Sequence, residues 1–174
     1  EFPIQNIKAL LVTHCHIDHV GRIPYLMAAG FDGPIYCTEP TAKLLPLVLE
    51  DAVKIGFSKN RQLINKFLKL LASRIIAVPY GQWQKISLAD SKTNQLKIKF
   101  KPAGHILGSA YIECDVKQQR ITFSGDLGGP YTPLLPNPRP PYKTDVLVLE
   151  STYGDKNHVN RKERKKQLKS LIIS

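Results

Sequence analysis

The chain has 174 residues, 43% hydrophobic and 22% charged, which is the balance of one ordinary globular domain and not of a disordered segment. Its 25 Lys and Arg outnumber 14 Asp and Glu, giving a formal net charge of +11 that favours anionic partners. No apolar stretch is long enough to span a bilayer, and three dispersed cysteines without a CxxC pair exclude a disulfide scaffold and a thiolate zinc finger.

In chain order, Ile7–Thr13 is a short apolar run that predicts a buried strand, ending in His14-Cys15-His16-Ile17-Asp18-His19. A helix is expected from about Gly21–Pro24, with Pro24 tolerated in its first turn, stopping before Gly30. Pro34–Cys37 predicts a strand, and Thr41 an N-cap for a helix over Ala42–Lys54. Arg61–Leu71 has helical spacing. Ile75–Val78, Leu96–Phe100, Tyr111–Val116, Arg120–Ser124 and Asp145–Leu149 read as strands. Tyr80 and Trp83 flank Gly81 in an expected loop, where they serve better as anchors against the core than as platforms for a base. Gly129–Tyr142 holds six prolines and no periodicity, which predicts a surface loop. Val159–Ile172 is helical again. Interleaved strands and helices of this kind predict an α/β layered domain.

Much of the charge is local. From Lys156 to Lys169, seven cations face one Glu, a net +6 in fourteen residues. His158, Arg161, Lys162, Arg164 and Lys165 are therefore candidate contacts to a nucleic-acid backbone.

The strongest chemical signal is His14-x-His16-x-Asp18-His19, four metal-capable side chains within six residues. Alternate residues of an extended segment point the same way, so His14 and His16 can grip one ion while Cys15 points away into packing. Asp18 and His19 follow as the chain turns and can face a second ion. His105 lies between glycines after an expected strand, and Asp126 lies between glycines at another strand end. Together they supply His14, His16 and His105 for one ion, Asp18 and His19 for a second, and Asp126 as a bridge. A bridged pair of ions generates hydroxide at neutral pH and stabilises charge on a displaced oxygen. Imidazole and carboxylate suit zinc, with manganese or iron as substitutes. Cys37 and Cys114, in strands, read as small core residues.

Through THCHIDH, AGHILGS and FSGDLG the sequence resembles the metallo-β-lactamase superfamily, and through Glu150 in ESTYGD its β-CASP branch of RNA-processing and DNA-repair nucleases. The resemblance implies a metallo-β-lactamase fold, an αββα four-layer sandwich incomplete at both ends. Residues 1–155 would form a partial core, and residues 156–174 a basic helix leading towards a β-CASP domain. It also implies two Zn²⁺ ions, the first on His14, His16 and His105, the second on Asp18 and His19, with Asp126 bridging. Asp18 would assist proton handling, and Glu150 would orient a histidine elsewhere. The second metal site would lack its last ligand within this stretch.

The expected activity is hydrolysis of RNA phosphodiester bonds. The alternatives are a DNA nuclease of the repair branch and a small-molecule hydrolase of thioesters or lactams with the same fold. No membrane partner is expected. An odd number of dispersed thiols and no signal-peptide pattern at the start point to a cytoplasmic setting.

Overall fold

Three apolar runs pair in parallel in the computed structural model, which describes residues 3–87, 95–130, 132–156 and 161–173, with the backbone alone at 87, 161, 162 and 164. Strands β1 (Leu10–Leu11), β2 (Ile35–Thr38) and β3 (Ile75–Val78) form one sheet in that order, with Leu10 opposite Ile35 and Tyr36 opposite Ile76. Parallel strands need crossover connections. Helices α1 (Ile17–Val20) and α2 (Ile23–Ala28) supply the first, and α3 (Glu39–Gly56) and α4 (Arg61–Arg74) the second. β2 is the middle strand and is buried at all four residues, as its unbroken apolar run requires.

The second sheet runs β4 (Trp83–Ser87), β5 (Gln95–Pro102), β6 (Ala110–Val116), β7 (Gln119–Phe123) and β8 (Val146–Val148). It is antiparallel up to β7, and β8 joins β7 in parallel, with Phe123 opposite Val148. The long β7–β8 connection contains the proline-rich segment, which the Tyr111 hydroxyl holds by donating to the Arg139 carbonyl at 2.7 Å. A last helix, α5, spans Arg161–Ile173.

Among the described residues two cores separate three layers of the expected four. In α3, Thr41, Leu45, Leu49 and Val53 recur every fourth residue on the buried stripe. Leu45 and Leu49, with Leu71 of α4, pack on Ile35, Cys37 and Cys15. The other core lies between the sheets, where Tyr36 and Val78 meet Ile98, Phe100, Ile112 and Cys114. All three cysteines are buried and unpaired. Burial raises the Cys37 thiol to about 12 and the Cys114 thiol to about 11, so both are inert core groups. No helix among the described residues is long and apolar enough to cross a membrane.

Several local expectations change. The first strand is far shorter than Ile7–Thr13, because only Leu10 and Leu11 have ladder partners. Thr38, not Thr41, caps α3: its side chain accepts from the Thr41 N–H, and Thr41 is inside the helix. Pro40 occupies a first-turn position that needs no N–H, so the helix starts three residues earlier and continues through Pro46. Trp83 begins a strand, not a loop, and its ring lies under Lys99 Nζ at 4.4 Å and the Arg120 guanidinium at 5.1 Å. Tyr80 is the expected anchor, donating from its hydroxyl to the Ser109 carbonyl at 3.0 Å.

Leu49 is fully buried in the helix–sheet core. Leu49→Ala is expected to cost roughly 2–5 kcal/mol of folding stability, read as a lower urea midpoint at unchanged slope.

Candidate metal centre

Three segments of chain meet at the site. Past β1 the chain bends at Thr13 and reaches His16, whose backbone is extended (φ −65°, ψ 147°) just before the first turn of α1. His14 and His16 come together on one side, and Cys15 lies on the other, buried in the helix–sheet core. α1 then carries Asp18 and His19 round to the same place. The β5–β6 connection brings His105, and the turn after β7 brings Asp126.

His14 Nε2 lies 3.2 Å from His16 Nδ1, which lies 3.0 Å from His105 Nε2. Asp126 Oδ2 is 3.7 Å from His14 Nε2 and 3.5 Å from His105 Nε2. The four ligand atoms all fall within 4.8 Å of one another. A tetrahedral ion with bonds of about 2.0–2.1 Å sets its ligand atoms roughly 3.3 Å apart. The donor set therefore fits a divalent cation in both spacing and chemistry. Asp126 also turns its other oxygen outward: Oδ1 is 3.2 Å from His19 Nε2, which lies 3.5 Å from Asp18 Oδ2. The Asp18 side chain is 74% exposed, so this second group opens to solvent.

His14 is fully buried and its pKa is lowered to about 4. Burial is the main cause, and the neighbouring His19, His16 and His105 add to it against the opposing pull of Asp126. The ring is thus neutral at physiological pH, the state in which imidazole binds metal. Its other nitrogen, Nδ1, is 3.2 Å from the Thr13 hydroxyl, which fixes the ring's orientation.

The supporting residues carried no signal in the sequence. The Ser109 hydroxyl accepts from the His105 and Ile106 N–H groups at 3.0 and 3.2 Å, folding the His105 loop on itself. Thr38 and Thr41 both donate to the Gly108 carbonyl, at 2.7 and 3.0 Å, tying that loop to the start of α3. A Cβ on Gly108 would sit 2.6 Å from Thr41 Oγ1, and its φ of +86° already disfavours a side chain. At Gly128 the Asp126 turn touches the His105 loop: its N–H donates to the Ala103 carbonyl at 2.8 Å, and a Cβ there would lie 1.7 Å from the Gly104 carbonyl oxygen. The AGHILGS and FSGDLG segments are thus two halves of one clamp.

Glu150 stands outside the ligand cluster. Its carboxylate accepts from the Leu127 N–H, one residue past Asp126. Its own N–H donates to Ser124 Oγ at 2.9 Å, and that hydroxyl donates to the Gly125 carbonyl at 2.7 Å. Lys165 lies exposed on α5. The side chains of Arg161, Lys162 and Arg164, and the whole of His158, lie outside the described residues.

The family model described as the metallo-beta-lactamase superfamily matches residues 1–174. The chain belongs to this superfamily. It is 32% identical over 171 residues to a ribonuclease of Thermus thermophilus, an overlap covering 98% of this chain and 38% of that protein. It is 36% identical over 179 residues to the transcription termination factor FttA of Methanococcus maripaludis, covering 99% of this chain and 27% of that protein. To the endoribonuclease YSH1 of Kluyveromyces lactis it is 31% identical over 178 residues, covering 99% and 23%. The chain thus spans well under half the length of these relatives. The superfamily and the His/Asp cluster together support divalent metal binding.

The depressed His14 pKa has a direction that can be measured. The unfolded chain takes up this proton near pH 6.5 and the folded chain only near 4. Stability is therefore present above pH 6.5 and lost as pH falls through about 4. In the chelated chain the loss is expected to reach about 3 kcal/mol from this one group. Urea midpoints between pH 7 and 4 check it, and a midpoint that stays level in the native protein but falls in His14→Gln would contradict it.

Proposed function

We propose that this chain carries the metal-binding core of a ribonuclease of the β-CASP type, cleaving RNA phosphodiester bonds with two bound Zn²⁺ ions. The observation that carries the reading is the placement of Asp126, with one oxygen towards His14 and His105 and the other towards His19. A single carboxylate so placed is suited to serve two ion sites at once. The ribonuclease and endoribonuclease among the relatives favour RNA as the substrate.

His14, His16 and His105 would hold the first ion as neutral imidazoles, and Asp18 and His19 the second. Ions held there supply Lewis acidity and lower the pKa of bound water. The protein's part is to fix its ligands and to manage charge and protons around them. Thr13 and Ser109 hold the rings of His14 and the loop of His105, and Glu150 holds the turn that carries Asp126. Asp18 is exposed at the mouth of the site, where its carboxylate can accept a proton from water approaching the scissile phosphate. The cations of α5 would neutralise phosphates along the strand, with the salt sensitivity that counterion release imposes. We assign residues 1–155 to the metallo-β-lactamase core and residues 156–174 to a basic helix leading towards a β-CASP domain, in a cytoplasmic protein.

The test is cleavage of matched RNA and DNA strands with and without chelator. RNA cleavage is expected to disappear with chelator and return with zinc. His16→Ala and Asp126→Asn are each expected to lower it by at least 100-fold, the scale on which one preorganised electrostatic group acts. Full activity in either variant would remove the mechanism, and preferential cleavage of DNA would reassign the substrate.

A further inference from the structure

A second feature borders the metal cluster at His19 and extends away from it. His19 and Arg22 share a groove of about 400 Å³ that runs from Thr13 along α1 and α2. Past Arg22 the surface becomes aromatic. The Arg22 guanidinium sits 5.5 Å from the centre of the Tyr25 ring, and that ring lies 4.3 Å from Phe57, tilted by 51°. Tyr25 is 51% exposed and Phe57 44% exposed. Large rings usually bury their faces against a core. These two, from α2 and the end of α3, meet each other in the open.

The charge around them is free to act. Among the described residues no carboxylate pairs with Arg22, Lys59 or Arg61. Beyond Phe57, Lys59 and Arg61 border a further pocket of about 390 Å³ with Lys54, whose ammonium is paired to Glu50 at 2.7 Å. Asp126 thus contacts His19, His19 shares its groove with Arg22, and Arg22 stacks on the Tyr25–Phe57 pair, with Lys59 and Arg61 two and four positions further along the chain from Phe57. Cations set among half-exposed rings are what single-stranded nucleic acid requires: phosphates pair with the cations and bases stack on the rings in any sequence. A protein partner would gain from the rings but would have to answer each unpaired cation with a carboxylate.

We propose that Arg22, Tyr25 and Phe57 form a stacking subsite for unpaired bases of the RNA strand entering or leaving the metal site. This rests on the ribonuclease reading above and adds to it a positioning platform on α2 and the α3–α4 turn.

The test uses the full chain, a 5′-fluorescein-labelled uridine 12-mer, and chelator to prevent cleavage, with affinity read by anisotropy across a salt series. Tyr25→Ala combined with Phe57→Ala is expected to weaken binding about tenfold with the salt slope unchanged, since one stacked base contributes on the order of 1–3 kcal/mol. Arg22→Gln is expected to reduce the slope of log affinity against log salt by about 0.7, the share of one phosphate on a single strand. Tyr25→Phe with Phe57→Tyr keeps both rings and is expected to bind like the parent, which separates stacking from misfolding. Photocrosslinking with 4-thiouridine is expected to mark peptides containing Tyr25 or Phe57. If the parent binds RNA and the ring-less variant binds equally well, or if crosslinks fall only on residues 156–173, this subsite is wrong while the ribonuclease reading stands. If the parent binds no RNA, both fall.

Discussion

Four ligand atoms that would repel or compete in the absence of a cation are held within a few ångströms of one another, and the rest of the architecture serves that constraint. Three imidazole nitrogens and a carboxylate oxygen cannot all satisfy one another by hydrogen bonds. They stay together because the backbone that carries them is fixed elsewhere. Burial keeps His14 neutral, so that the first ligand requires no deprotonation before binding. The ligands come from three points far apart in the chain, and the two sheets bring those points to a common edge.

The clamps are made of small residues. Thr38 serves twice, as the cap of α3 and as a donor to Gly108, so the start of a long helix and the His105 loop share one hydroxyl. Gly128 has no side chain because the Gly104 carbonyl occupies that space. The Ala110 N–H donates to the Thr13 carbonyl at 2.8 Å, joining β6 to the chain entering the first ligand segment. None of these groups touches the ligand cluster's outer opening, yet each limits how far a ligand can drift. A site built this way tolerates change in the exposed loops and little change beneath it.

How much of this could be read beforehand depended on the range of the interaction. The α3 stripe and the apolar runs of β5 and β6 are local patterns, and their elements fall within a few residues of where those patterns put them. His14, His16 and Asp126 are legible because rare residue types recur at a short spacing or beside glycines. Thr38 and Ser109 are not, because a buried threonine or serine looks like any other until its distant partner is known. β4 was hidden because Gly81 and Gln82 sit directly before Trp83 and suggest a longer turn. Two threonines three residues apart both suit a cap for α3, and only the Pro40 position decides between them. The Tyr25–Phe57 pair is hidden for the same reason as Ser109: one ring is on α2 and the other just past the end of α3.

The relay through Ser124 has a consequence for the order of events during synthesis. His16 and His105 are 89 positions apart, and the turn that presents Asp126 is held by Glu150, 23 positions beyond Leu127. The first ligands emerge from the ribosome long before the last is fixed. Until β8 pairs with β7 and Glu150 reaches the Leu127 N–H, the histidine segment has no rigid fourth partner. Contacts between residues far apart in sequence carry a loop-closure cost that must be met before they form. The turn that presents Asp126 is thereby held only once β8 lies beside β7 and Glu150 has reached it.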